Sequence, residues 1–130
     1  LTHMDGNEDY SVGGTRSKTV FVNFWASWCG PCEMEAPDLV QLYDKYYEEM
    51  DLYAVNATAL DSVRDAEQFV QKHGFTFPVL MDASADVVKT YNVMGYPTSI
   101  LIDEHGVVQD LIRGVLPYEQ LEKKVKQLIK

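Results

Sequence analysis

The run Thr19-Val20-Phe21-Val22-Asn23-Phe24-Trp25 constrains the fold of this chain more than any other segment. It is β-branched or aromatic almost throughout and shows no polar alternation, which predicts a strand buried on both faces. A strand of that kind needs cover above and below it. Directly after it stand Ala26-Ser27-Trp28-Cys29-Gly30-Pro31-Cys32, and beyond Cys32 the hydrophobic period changes. Leu39, Leu42, Tyr43, Tyr46 and Tyr47 recur at helical spacing, so residues 30–49 are predicted to form an amphipathic helix, kinked at Pro37.

Strands and helices alternate through the rest of the chain. Leu52 to Asn56 reads as a second strand. Ser62 with Asp65 resembles a capping box opening a helix that carries Val63, Ala66, Phe69 and Val70, and Gly74 closes it. Pro78 to Met81 is a brief strand begun by its proline, and Ala85 to Tyr91 a short helix. Thr98–Ile102 and Val107–Ile112 read as strands joined by the turn Asp103-Glu104-His105-Gly106. Pro117 starts a last helix with Tyr118, Leu121, Val125 and Leu128 as its apolar stripe. The order implies an α/β sandwich with a mixed sheet. Residues 1–18, rich in Gly, Asp, Asn and Ser, read as a tail that is partly vector-derived, because Leu1-Thr2-His3-Met4 looks like a cloning scar. Residues 19–130 form the domain.

With 130 residues the chain is one domain with room for one core. Its formal charge of −9 excludes a phosphate-tracking nucleic-acid surface and disfavours an anionic membrane. No run reaches the roughly 18–20 apolar residues of a membrane span. The opening residues have neither the basic nor the apolar region of a signal peptide, and localisation is not legible from them.

The two cysteines of the chain stand three positions apart. A bridge across two intervening residues closes so small a loop that it hardly restrains the unfolded chain, which leaves chemistry as the better reason for the pair. At the start of a helix, unpaired N–H groups and the positive dipole end favour the thiolate of Cys29. Pro31 suits an early helical position. Cys32, a turn inward, is expected to be more shielded and less acidic. The asymmetry suggests that Cys29 attacks a disulfide and Cys32 resolves the mixed disulfide.

Phe24-Trp25-Ala26-Ser27-Trp28-Cys29-Gly30-Pro31-Cys32 resembles the active-site stretch of the thioredoxin superfamily. Pro37 falls where that superfamily kinks its active-site helix, and Gly95-Tyr96-Pro97-Thr98 resembles its cis-proline loop. The segment Glu33 to Tyr46 and an insert around 58–82 make the chain similar to the TlpA/ResA group of extracytoplasmic thiol–disulfide oxidoreductases. The resemblance implies a thioredoxin-like three-layer α/β/α sandwich around a central mixed sheet. It implies a protein-disulfide reductase that works through a redox-active Cys29–Cys32 disulfide without a bound cofactor or metal. Pro97 would be cis, leaving the Tyr96 backbone to pair with an extended client segment. Trp28, Gly30, Pro31, Tyr96 and Pro97 would bind that client; ordinary packing is the alternative for Trp28 and Tyr96. The implied partners are protein disulfide clients, such as those of cytochrome c maturation, and a membrane or thioredoxin-type electron donor. A monomer is implied, located outside the cytoplasm through an anchor or signal, with a cytoplasmic location as the alternative.

Two departures bear on mechanism. Cytosolic thioredoxins carry an aspartate six residues before the first cysteine, and Asn23, which cannot ionise, stands there. Glu35 matches a glutamate of ResA-like proteins: facing the sulfurs it would handle the proton of Cys32, and facing away it would be a solvated charge. The short N-terminal stretch implies a reduced or missing β-hairpin and an exposed sheet edge. Three rival readings stay open. One is a disulfide oxidant or isomerase of the same fold. A second is a copper or zinc site on the cysteine pair, although His3, His73 and His105 are isolated from each other. The third is a non-catalytic interaction domain.

Overall fold

The Thr19–Trp25 run is a strand with all seven residues buried. The computed structural model describes residues 1–3 and 18–129. Among them the elements are β1 (Thr2–His3), β2 (Thr19–Trp25), α1 (Gly30–Tyr46), β3 (Met50–Asn56), a 3-10 turn at Thr58–Leu60, α2 (Val63–His73), β4 (Val79–Met81), α3 (Asp86–Thr90), β5 (Thr98–Ile102), β6 (Val108–Arg113) and α4 (Tyr118–Leu128). The strands form one sheet in the order β1-β4-β3-β2-β5-β6. β2, β3 and β4 run parallel; β1, β5 and β6 each pair antiparallel. This is a mixed sheet of thioredoxin-like type.

Alternation along β2 divides the core. Phe21 and Trp25 join one cluster with Leu39 and Leu42 of α1, Ala66 and Phe69 of α2, and Leu121 and Val125 of α4. Val20, Val22 and Phe24 face the other way, against Tyr53, Val55, Leu80, Ile100 and Ile102, with Val87 and Val88 of α3 and Leu1 packed on them. The layers are therefore unequal: three helices cover one face and a single short helix the other. Trp25 stacks on Phe69 at 4.6 Å, and Phe75 meets both rings edge-on at 5.8 Å, so α2 is tied to the sheet through aromatic contact.

Several element ends differ from expectation, each for a local reason. Tyr47 caps α1 and lies exposed, outside the helical stripe. Ala85 has φ +65, a left-handed conformation no helical residue adopts, so α3 starts after it. Val107 exchanges bonds with Asp103 inside the hairpin turn, and the strand begins one residue later. Val63 opens α2 but is exposed. The Ser62 cap and the left-handed Gly74 end of α2 are as expected: Ser62 Oγ accepts from Asp65 N at 3.1 Å, and Gly74 has φ +66. The N-terminal tail needs a correction. Thr2 and His3 pair with Met81 and Leu80, so the outer edge of β4 is covered rather than exposed. Most of the predicted tail, residues 4–17, lies outside the described residues.

Candidate active site

The cysteine pair lies where the sheet's parallel strands end, the place an open α/β sheet leaves for chemistry. β2 stops at Trp25, Ala57 N bonds Trp25 O at 2.9 Å, and the chain turns through Ala26–Cys29 with Cys29 N on Ala26 O at 3.2 Å. Cys29 is the N-cap of α1, in extended conformation, and Pro31 occupies the first turn. Cys29 and Cys32 are disulfide-bonded, with Cα atoms 5.2 Å apart. Cys29 Sγ accepts the backbone N–H of Cys32 at 3.1 Å. A cap that is normally an oxygen is here a sulfur, so a first-turn N–H points at the atom that carries charge once the bond is reduced. The expected difference in shielding is absent in this oxidised state: Cys29 is 5% and Cys32 4% exposed. The two sulfurs differ in their backbone bonding, because only Cys29 sits in the capping position.

The other expected contact residues surround the pair. Trp28 is 60% exposed, yet its Nε1 donates to Leu60 O at 2.9 Å and its ring meets Tyr96 edge-on at 6.0 Å. It is both a surface ring and a packed one. Gly30 and Pro31 are exposed, and a Cβ placed on Gly30 would meet nothing within 4 Å, so the fold does not require glycine there. The Tyr96–Pro97 peptide is cis. Pro97 is buried, its carbonyl accepts from Gly114 N at 2.9 Å, and Thr98 Oγ1 bonds Gly95 O at 2.7 Å. Pairing of β5 with both neighbours begins at Thr98, leaving Tyr96 outside the ladder. A groove of about 270 Å³ runs past Met94, Tyr96, Pro97 and Arg113.

One helical turn past Cys32, α1 and the sheet enclose a polar group in an apolar layer. Asn23 and Ser99 are cross-strand partners on the α1 side of the sheet. Asn23 Nδ2 donates to Glu35 Oε1 at 2.9 Å and to Ser99 Oγ at 3.0 Å. Glu35 follows Cys32 by three residues, so both occupy one helix face, and it is only 1% exposed. It is not a solvated charge. Burial pushes its pKa up to about 7; the Asn23 bond opposes that shift and nearby Asp38 adds to it.

One set of site residues went unseen in the sequence. Asp61, read there only within an insert, accepts Ser27 N at 2.7 Å, Ser27 Oγ at 2.6 Å, Ser62 N at 2.8 Å and Asn56 Nδ2 at 3.0 Å. Burial alone would raise its pKa, but the bonds from Ser27, Asn56 and Ser62 outweigh burial and hold it below the usual carboxylate range. The available signal was an Asp-Ser pair before a helix, which says nothing of a partner 34 residues away. Among the described residues, no three His, Cys, Asp or Glu side chains gather in a way that could hold a metal ion.

A buried sulfur pair able to cycle between disulfide and dithiol, with one sulfur under a helix's N–H groups, transfers electron pairs to and from other sulfurs. The protein is a thiol–disulfide oxidoreductase of thioredoxin-like fold. Comparison with known proteins gives the family: the chain belongs to Redoxin, whose family model matches residues 1–129. It is 40% identical over 129 residues to the thiol-disulfide oxidoreductase ResA of Bacillus thuringiensis subsp. konkukian, covering 98% of this chain and 73% of that one. It is 36% identical over 119 residues to the thioredoxin-like protein YneN of Bacillus subtilis, covering 91% and 69%. Among solved structures it matches StoA from Bacillus subtilis with TM-score 0.82 at 29% identity, over 95% of this chain and 92% of that one. MTB dsbF matches with TM-score 0.84 at 31% identity, over 98% and 92%.

Proposed function

We propose that the protein reduces disulfides in extended segments of protein clients, with Cys29 attacking, Cys32 resolving and Glu35 handling the proton of Cys32. The observation that carries this reading is the Cys32 N–H placed on Cys29 Sγ, which favours negative charge on that sulfur. In the reduced protein the Cys29 thiolate attacks one client sulfur. A Cys29–client bond forms, the client's own S–S bond breaks, and one client thiolate leaves and takes a proton. Cys32 gives its proton to Glu35, a carboxyl whose pKa near 7 suits both uptake and release at neutral pH. The Cys32 thiolate then attacks Cys29 Sγ, freeing the second client thiolate and forming the Cys29–Cys32 disulfide. Two electrons pass to the client, and an external dithiol of thioredoxin type or a membrane donor restores the pair.

The client chain lies along Tyr96 as an added strand, with Trp28 and Tyr96 as its walls and the bare Gly30 leaving the approach open. The resemblance to the TlpA/ResA group supports a client of the cytochrome c maturation type and a location outside the cytoplasm. A solved relative, 27% identical with TM-score 0.83, is an exposed lipoprotein thioredoxin of Streptococcus pneumoniae. No described helix is long and apolar enough to cross a membrane.

The sulfur roles are tested by replacing each cysteine. Cys29→Ser should abolish insulin reduction, and Cys32→Ser should accumulate mixed disulfides with clients; trapping by Cys29→Ser instead would reverse the assignment. Equilibration against glutathione and dithiothreitol tests the direction. A potential as high as that of the superfamily's strong oxidants, about −120 mV, would make the protein an oxidant.

A further inference from the structure

We propose that Asp61 is a positioning residue for the reactive sulfur, fixing the turn that presents Cys29 and the ledge on which Trp28 rests. The Ala26–Cys29 turn lies beyond the end of β2 and has one internal backbone bond, Cys29 N to Ala26 O. Cys29 continues into α1 through Glu33 N and Cys32 N, and Trp28 packs on Tyr96; the remaining tethers of the turn and of Trp25 before it lead to residues 57–61. Ala57 holds Trp25 O, Leu60 O holds the Trp28 indole, and Asp61 holds both the N–H and the hydroxyl of Ser27.

Both oxygens of the Asp61 carboxylate are engaged. Oδ1 takes Ser27 Oγ and Ser62 N; Oδ2 takes Ser27 N and Asn56 Nδ2. One ionised group thus joins the end of β3, the start of α2 and the reactive turn. A neutral side chain of the same size cannot replace it, since an amide has one acceptor oxygen and would turn donors toward donors. Leu60, whose carbonyl holds Trp28, adjoins Asp61 in sequence, so loss of the anchor also loosens the indole. Cys29 must keep its extended cap conformation for its sulfur to receive the Cys32 N–H. Asp61 therefore acts through Ser27 and the turn, not by touching the reacting sulfurs.

The inference rests on Cys29 being the attacking sulfur. It is tested with Asp61→Ala and Asp61→Asn in the whole chain, beginning with folding and formation of the Cys29–Cys32 disulfide. Three quantities are then read on the reduced proteins. They are the Cys29 thiol pKa from the pH dependence of iodoacetamide alkylation, the rate with a small aromatic disulfide, and the Trp28 emission maximum. Trp25 is fully buried and serves as a constant background. Asp61→Ala should raise the thiol pKa by about one unit, which at a pH below both pKa values means about a tenfold loss of thiolate and, because a more basic thiolate attacks faster, about a three- to fourfold loss of rate, and should shift emission to the red. Asp61→Asn, keeping one acceptor, should fall between wild type and Asp61→Ala. If Asp61→Ala does not fold, the same three shifts in Asp61→Asn decide the matter.

A variant that melts earlier yet keeps the wild-type thiol pKa, rate and emission would reduce Asp61 to a structural role and overturn the proposal. Failure of the underlying reading looks different: the wild-type protein itself would alkylate first at Cys32.

Discussion

Asp61 and Glu35 are two carboxylates of one active site whose proton affinities move in opposite directions. Asp61, at the rim, receives four hydrogen bonds and has a lowered pKa. Glu35, buried between α1 and the sheet, receives one from Asn23 and has its pKa raised to about 7. Burial acts upward on both. What separates them is depth together with the number of donors: Glu35 is fully buried beside Asp38, Asp61 is only half-buried, and each N–H or O–H aimed at a carboxylate offsets part of its lost hydration. One group is thereby kept as a fixed anion that organises a loop. The other has its proton affinity raised toward neutral pH. Glu33, on the exposed side of α1, is a third case: its bond to Lys72 Nζ at 2.7 Å lowers its pKa in open solvent.

The largest expected effect comes from breaking the neutrality around Glu35. Asn23→Asp removes its donor and sets a second carboxylate against it. Two such groups cannot both ionise, so the pair should retain a proton well above pH 7. Urea unfolding at pH 8 should show a loss of about 3–5 kcal/mol, the scale of an uncompensated buried charge, and a much smaller loss at pH 5.

Glu35→Gln comes next and has the opposite sign. A folded pKa near 7 against an ordinary 4.5 means the native state holds the proton longer than the unfolded chain. Stability is then fully present below about pH 4.5, falls through the window from 4.5 to 7, and is level above it. The 2.5-unit difference corresponds to about 3 kcal/mol. Glutamine can still accept from Asn23, so the variant should be more stable than wild type at pH 8 by up to that amount and should lose the slope between pH 4.5 and 7. Asp38 on α1, which adds to the rise, is itself raised by burial and by Glu119 of α4, so Asp38→Asn should narrow the window without abolishing it. An unchanged slope in Glu35→Gln would remove this carboxyl from the proton account.

Asp61→Asn should cost about 1–3 kcal/mol at pH 7 through donors left without an acceptor. Its sign is that of a depressed carboxylate: the contribution is present above the ordinary pKa of 3.8 and is lost as pH falls through the lower folded value. Acid titration of unfolding should therefore separate the two sites, Glu35 acting between pH 4.5 and 7 and Asp61 only below about 4. Glu33→Gln is the smallest change. Its pair with Lys72 is exposed and screened, and denaturation midpoints should not move.

Much of the site was legible because its grammar is local. The both-face burial of Thr19–Trp25, the cap position of Cys29 and the early Pro31 all follow from periodicity and helix-end chemistry within fourteen residues, Thr19 to Cys32. Asn23 and Glu35 were singled out one by one, and their spacing could not say that they touch. That contact depends on β2 and α1 crossing at one register, with Ser99 of β5 arriving as the third member. The covered edge at Thr2–His3 was missed for the same reason. Polar composition suggests a tail, while an unpaired sheet edge accepts any backbone that reaches it.

By itself the sequence determined the strand–turn–helix unit, the pairing of two cysteines within one helical turn and the absence of an ionisable group at position 23. These depend on neighbours along the chain. The tertiary structure alone decided that Glu35 is buried with a raised pKa, that Asp61 is the anchor of the reactive turn, and that Trp28 rests between Leu60 and Tyr96. The physical reason is that proton affinity and loop position are set by which donors surround a group, and those donors come from segments that only folding brings together.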